Sequence, residues 1–114
     1  MVFLTISREL ECSYCVAAHT AFAQTGQVDG NVINQLREGN LLEDPKLDGL
    51  QHFVSNLVQS NGNLSEQEIA DFLALDFNRR NILVIITMLP NKLMAVYANR
   101  IMGTELDEAL QPAI

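Results

Sequence analysis

Basic residues are few in this chain. Seven lysines and arginines stand against fourteen aspartates and glutamates, for a formal net charge of −7 at pH 7, and the seven are scattered rather than clustered. Most of such a surface repels a polyanion, so nucleic acid is not an expected partner. Long apolar runs are missing as well. The longest, Ile82 to Leu89, is far short of the roughly 20 residues a membrane-spanning helix needs, and no membrane association is expected. Met1 to Ile6 lack both the basic flank and the length of a secretory signal, and the chain reads as cytoplasmic.

Alternating apolar and polar positions, the mark of a half-buried strand, are also absent; β-branched residues gather mainly in Ile82 to Thr87. Cysteine is limited to two residues, Cys12 and Cys15. That is the wrong pattern for a secreted domain stapled by disulfides and the right one for redox chemistry. No repeat, low-complexity segment or linker divides the chain.

What is present suffices for one core. The chain has 114 residues, 48% apolar and only 18% charged, and a domain of this size buries about two thirds of the surface its unfolded form exposes. The expected architecture is all-α: one domain over residues 1–114, a bundle of about six helices. Met1 to Leu10 reads as the end of a helix that starts without a cap. A second helix should run from about Cys12 to Gln24 and close at Gly26, since glycine tolerates the left-handed conformation that ends a helix. A third spans about Asn31 to Glu38 before Gly39, and a fourth about Lys46 to Gln59 after Pro45. Asn61-Gly62-Asn63 signals a turn. Ser65 and Glu68 then form a capping box, with Leu64 and Ile69 placed as a hydrophobic staple, for a helix running to about Ala74. The last helix extends from about Asn78 to Met102, with a kink expected at Pro90 and a stop at Gly103. It is apolar nearly all round, so most of its sides need cover, and in a domain this small a second subunit is the expected cover.

Cys12-Ser13-Tyr14-Cys15 followed by Val16-Ala17-Ala18-His19 is a CxxCxxxH arrangement at the start of a helix. Residues three and four apart share a helical face, so Cys12, Cys15 and His19 form one stripe. The reactive species is the thiolate, and a free cysteine with pKa near 8.5 is only ~3% ionised at pH 7. Bringing that pKa to about 6.5 requires roughly 2.7 kcal/mol of thiolate stabilisation, of which a helix N-terminus supplies about 0.3 to 1 kcal/mol. His19 is the natural second contributor, as proton acceptor or imidazolium partner, while Glu11 opposes a further negative charge. Other readings stay open: a buried apolar cysteine pair, or a zinc site completed by His52 or a carboxylate. His52 itself reads as an ordinary core or surface histidine. A thioredoxin-like CxxC would need a βαβ context that the chain does not offer.

The stretch Glu11-Cys12-Ser13-Tyr14-Cys15-Val16-Ala17-Ala18-His19-Thr20 resembles the signature of the AhpD-like alkylhydroperoxidase branch of the carboxymuconolactone decarboxylase superfamily. The turn and cap from Asn61 to Glu68, the helix holding Lys92 to Asn99, and the tail Gly103-Thr104-Glu105-Leu106-Asp107 are similar to the same family. The resemblance implies an all-α homo-oligomer, often a trimer or hexamer, and a peroxidase or disulfide-reductase cycle on small hydroperoxides that uses no metal or organic cofactor. In that cycle Cys15 attacks the peroxide and becomes a sulfenic acid, Cys12 resolves it as a disulfide, His19 assists deprotonation, and an external thiol or dithiol resets the pair.

Two departures stand out. The family's relay glutamate would fall at or just before Met1, which makes the chain read as truncated at its N-terminus, and Glu9 and Glu11 lie too close to Cys12 to replace it by simple register. Arg100 stands where relatives often carry histidine, and no catalytic role is expected of it. A scaffold or small-ligand binding protein that keeps the fold without the relay is the competing expectation. A decarboxylase of the other branch is a third, disfavoured because that chemistry does not need vicinal thiols.

Overall fold

The computed structural model describes residues 1–105. The chain folds into six helices: α1 (Val2–Glu9), α2 (Ser13–Thr25), α3 (Gly30–Glu38), α4 (Pro45–Gln59), α5 (Glu66–Leu73) and α6 (Arg79–Met102). No strand occurs among the described residues, so the all-α expectation holds. Leu106 and Asp107 of the family-like tail lie outside the described residues.

The short α1 is the hub, packing against α2, α3, α4 and α6. It occupies the centre although it buries two hydroxyls, because each is satisfied within the helix: Thr5 Oγ1 donates to the Met1 carbonyl at 3.1 Å and Ser7 Oγ to the Phe3 carbonyl at 2.7 Å. Ile6 joins a core of Phe53, Val54, Leu57, Phe72 and Ile85. Within it Phe72 stacks on both Phe53 and Phe77, with ring centroids 4.1 and 4.5 Å apart. Leu4 faces the other way, into a second cluster with Ile33, Leu36 and Leu42.

The chain passes from α1 to α2 without a loop. Cys12 N–H bonds the Ser7 carbonyl at 3.1 Å and Glu11 N–H the Arg8 carbonyl at 3.0 Å, the paired bonds of a Schellman close, with Glu11 in the left-handed region at φ 55°. The same Cys12 is the N-cap of α2, where its sulfur accepts from the Cys15 N–H. A second Schellman close ends α2, but not as the sequence suggests. Gly26 has an ordinary φ of −76°, and the left-handed residue is Gln27 at φ 61°, whose N–H reaches Gln24 while Val28 N–H reaches Ala23. The turn needs its left-handed residue one position later, so the glycine there is not used for its conformational freedom.

The Ser65–Glu68 capping box forms as expected, and Leu64 and Ile69 line the same surface cleft. Asn78 and Asn81 make a reciprocal cap of the same kind at the start of α6. Helix α6 continues through Pro90 to Gly103, which adopts φ 60°. As a formed helix of 24 residues it is long and apolar enough to cross a membrane by length and composition, a property that counting only uninterrupted apolar residues had missed. Lys92 and Asn91 interrupt its middle. Only Ile85, Lys92 and Val96 of this helix are buried; Leu83, Val84, Ile86, Met94, Tyr97, Ile101 and Met102 are exposed.

Candidate functional site

Cys12 and Cys15 are joined by a disulfide, with Cα atoms 5.2 Å apart. The spacing is a product of the cap: an N-cap side chain bends back over the first helical turn, where residue N3 is its neighbour. Cys12 Sγ accepts the Cys15 N–H at 3.2 Å, so one of the otherwise unpaired amides at the start of α2 is spent on sulfur. Both residues are buried, Cys12 to 4% and Cys15 to 1% relative exposure. They pack with Val96 of α6 and the flanking Leu10 and Tyr14. Cys15, the sulfur that the resemblance would have attack the peroxide, is the less exposed of the two.

Helix α6 supplies the rest of the surroundings. Asn99 Nδ2 lies 4.0 Å from Cys15 Sγ. One residue further, Arg100 donates from Nη2 to the carbonyls of Leu10 and Glu11, the latter at 3.0 Å. These two carbonyls belong to the turn that presents Cys12, so Arg100 braces the backbone beside the disulfide.

His19 sits one turn beyond Cys15 on α2, half-buried, but its Nε2 is turned to Lys92, whose Nζ is 2.6 Å away. No hydrogen bond joins the His19 ring to either sulfur among the described residues. Its ring stacks on Phe3, with centroids 5.1 Å apart, and meets the exposed Phe22 edge-on at 5.6 Å. Burial, the Lys92 ammonium and the chain's amino group, in that order, lower its pKa to about 4. The ring is therefore neutral at pH 7. With the ammonium donating to Nε2, the ring proton resides on Nδ1. Lys92 is itself buried and its pKa is lowered by desolvation, and its Nζ also lies 5.6 Å from the centroid of the Phe3 ring.

Arg8 and Glu9 of α1 anchor a polar network against α4. Arg8 donates to the Leu36 carbonyl, Gln51, Glu9 and Ser55, at 2.6 to 2.9 Å. Ser55 and Gln59 donate to the Glu9 carboxylate at 2.9 and 2.8 Å. Burial pushes the Glu9 carboxyl up, but the bonds from Arg8, Gln59 and Ser55 outweigh it and hold its pKa below the usual value. Glu9 is thereby committed to the α1–α4 contact.

A surface cleft of about 350 Å³ lies beside the disulfide, lined by Arg8, Glu11, Cys12, Ser13, Val16, Ala17 and Arg37. Cys15 does not line it. His52 is elsewhere, on α4, 3.2 Å from Asp48, so it does not join the cysteines as a fourth ligand. Among the described residues no three His, Cys, Asp or Glu side chains are grouped to hold a metal ion.

The structure thus brings Cys12 and Cys15 together and points His19 elsewhere. Lys92, Asn99 and Arg100 were not anticipated as parts of the site. A signal for the first two was present: Lys92, Val96 and Asn99 are spaced four and three apart, so a cation and an amide share one face in the middle of a largely apolar helix.

No protein-family model matches the chain, and no curated protein matches it.

Proposed function

We propose that the chain is a thiol–disulfide oxidoreductase of AhpD-like type, a thiol-dependent peroxidase or disulfide reductase of the cytoplasm that acts on small hydroperoxides. The observation that supports this reading is the Cys12–Cys15 pair, poised for disulfide formation at the first turn of a helix whose amide bonds one of the sulfurs. In the proposed cycle the Cys15 thiolate attacks the peroxide O–O bond, releases water or an alcohol, and becomes a sulfenic acid. The Cys12 thiol then displaces hydroxide as water and closes the disulfide. An external thiol or dithiol returns the pair to its reduced form. Such a cycle needs neither a metal nor an organic cofactor. With His19 Nε2 engaged by Lys92 and the ring proton on Nδ1, the imidazole in this arrangement can donate to a thiolate but not accept the Cys15 proton, so that proton leaves to solvent in the proposed cycle.

The exposed face of α6 supports assembly into a homo-oligomer, a trimer or hexamer by the family resemblance. Leu83, Ile86, Pro90, Met94, Tyr97 and Ile101 recur at spacings of three and four and are all exposed, the pattern by which helices pair.

A second reading draws on two observations, the burial of Cys15 and the turning of His19 toward Lys92. It takes the protein as an oligomeric scaffold or small-ligand binding protein with an unreactive cysteine pair. Titration of the reduced protein with hydrogen peroxide and a small organic hydroperoxide separates the two, with Cys12–Cys15 disulfide formation followed by mass spectrometry beside Cys15→Ser and His19→Ala variants. Rapid oxidation that depends on Cys15 and His19 supports the oxidoreductase. Oxidation no faster than that of a free thiol supports the scaffold.

A further inference from the structure

The cleft beside Cys12 carries two charges that have no partner among the described residues. Arg8, which also lines it, is engaged through both terminal nitrogens by Leu36, Gln51, Glu9 and Ser55. Arg37 is half-buried, and neither its guanidinium nor the Glu11 carboxylate makes a hydrogen bond or ion pair with any described residue. The two do not pair with each other although they line one cleft of about 350 Å³. Opposite charges held apart over a shared space suit a ligand bearing both signs, and the volume lies in the roughly 300–1,000 Å³ range of small-molecule sites. Between them the cleft offers Val16 for an aliphatic contact and, from the redox pair, Cys12 alone.

We infer that this cleft receives a small thiol of amino-acid type, its carboxylate on Arg37 and its ammonium on Glu11, which reduces the protein by attacking Sγ of Cys12. The inference rests on the oxidoreductase reading and names the reductant class for it. The bound thiol loses its proton to solvent, and its thiolate forms a bond to Cys12 Sγ as the Cys12–Cys15 bond breaks. Cys15 leaves as a thiolate and takes up a proton. A second molecule of the same thiol, also deprotonated, attacks the external sulfur of the mixed disulfide and releases Cys12 as a thiolate, which is protonated in turn. Two thiols are oxidised to one disulfide, and the protein disulfide is reduced to two thiols. Attack at Cys12 rather than Cys15 follows from access, and it frees the sulfur that the proposed peroxidase cycle uses first.

The oxidised full-length protein is reduced in turn by cysteine, 3-mercaptopropionate, cysteamine and 2-mercaptoethanol, with rates expressed per thiolate so that thiol acidity is removed. Cysteine is expected to be fastest and 2-mercaptoethanol slowest, each matched charge contributing roughly two- to fivefold. Arg37→Gln should erase the advantage of the carboxylate-bearing thiols and Glu11→Gln that of the ammonium-bearing ones, read as ratios to 2-mercaptoethanol within each variant. Cystine offered to the reduced Cys15→Ser variant should leave its half-cystine on Cys12. The ranking in the unmodified protein stands as a test even where a variant does not fold. Rates that follow thiolate concentration alone, with no ranking by charge, overturn this cleft assignment and leave the oxidoreductase reading intact. A disulfide that no thiol reduces and no peroxide restores overturns both.

Discussion

Nε2 of His19 and Nζ of Lys92 are 2.6 Å apart, a contact between two basic groups that come from α2 and α6. At that distance the pair holds one shared hydrogen, and a second positive charge is excluded. The ring, already disfavoured as a cation by burial, gives way, and the lysine keeps the charge.

Replacing Lys92 with methionine keeps an unbranched chain in the same space and removes the charge. The His19 pKa should then rise from about 4 but stay below its ordinary 6.5, because burial, the largest of the three causes, remains, as does the chain's amino group. A ¹H–¹⁵N NMR titration of the imidazole reads this directly. An unchanged pKa would show that Lys92 does not contribute to it.

The same depressed pKa has a stability consequence with a definite sign. Between about 4 and 6.5 the unfolded chain holds a proton on His19 that the folded one lacks, so unfolding is favoured as pH falls through that window. The stability His19 contributes is fully present above its unfolded pKa and has been lost once the pH is below its folded one. Urea midpoints measured across pH 4 to 7 should fall less steeply on the acid side for His19→Gln than for the unmodified protein. Parallel curves for the two would refute the prediction.

Met94 and Ile101 are 70% and 81% exposed on the bare stripe of α6. Met94→Glu and Ile101→Glu should leave the stability of the single subunit within about 0.5 kcal/mol, as surface substitutions do, while placing a charge in any helix–helix seam. Sedimentation velocity at micromolar concentration is expected to show an oligomer for the unmodified protein and a monomer for the double variant. A monomeric unmodified protein would leave this face without a second copy to cover it.

Much of the fold was legible because its signals are local. The Ser65–Glu68 cap, the turn at Asn61-Gly62 and the stops at Gly39 and Gly103 each depend on residues within a turn of one another, and each occurs where the sequence places it. Helix α2 does end at Gly26, but for another reason than the sequence suggests: a helix close needs a left-handed residue at one register position only, and the hydrogen bonds put Gln27 there. The site was legible in its cysteines for the same reason of proximity. The partner of His19 was not, since Lys92 lies 73 residues away and only the docking of α6 on α2 decides which way the ring turns. Arg100 was hidden in a different manner: it acts on backbone carbonyls of Leu10 and Glu11, which carry no sequence signature.

The junction at Cys12 ties two helices to one residue. Its amide completes the end of α1 and its sulfur caps the start of α2, so truncating this side chain removes a reactive group and a structural bracket in a single stroke. Serine, which retains an acceptor for the Cys15 amide, separates those two losses, and alanine confounds them. The economy also works in reverse: a reagent on the Cys12 sulfur competes with the Cys15 amide for it, so the first turn of α2 registers the change before α1, whose closing bond is made by the Cys12 amide.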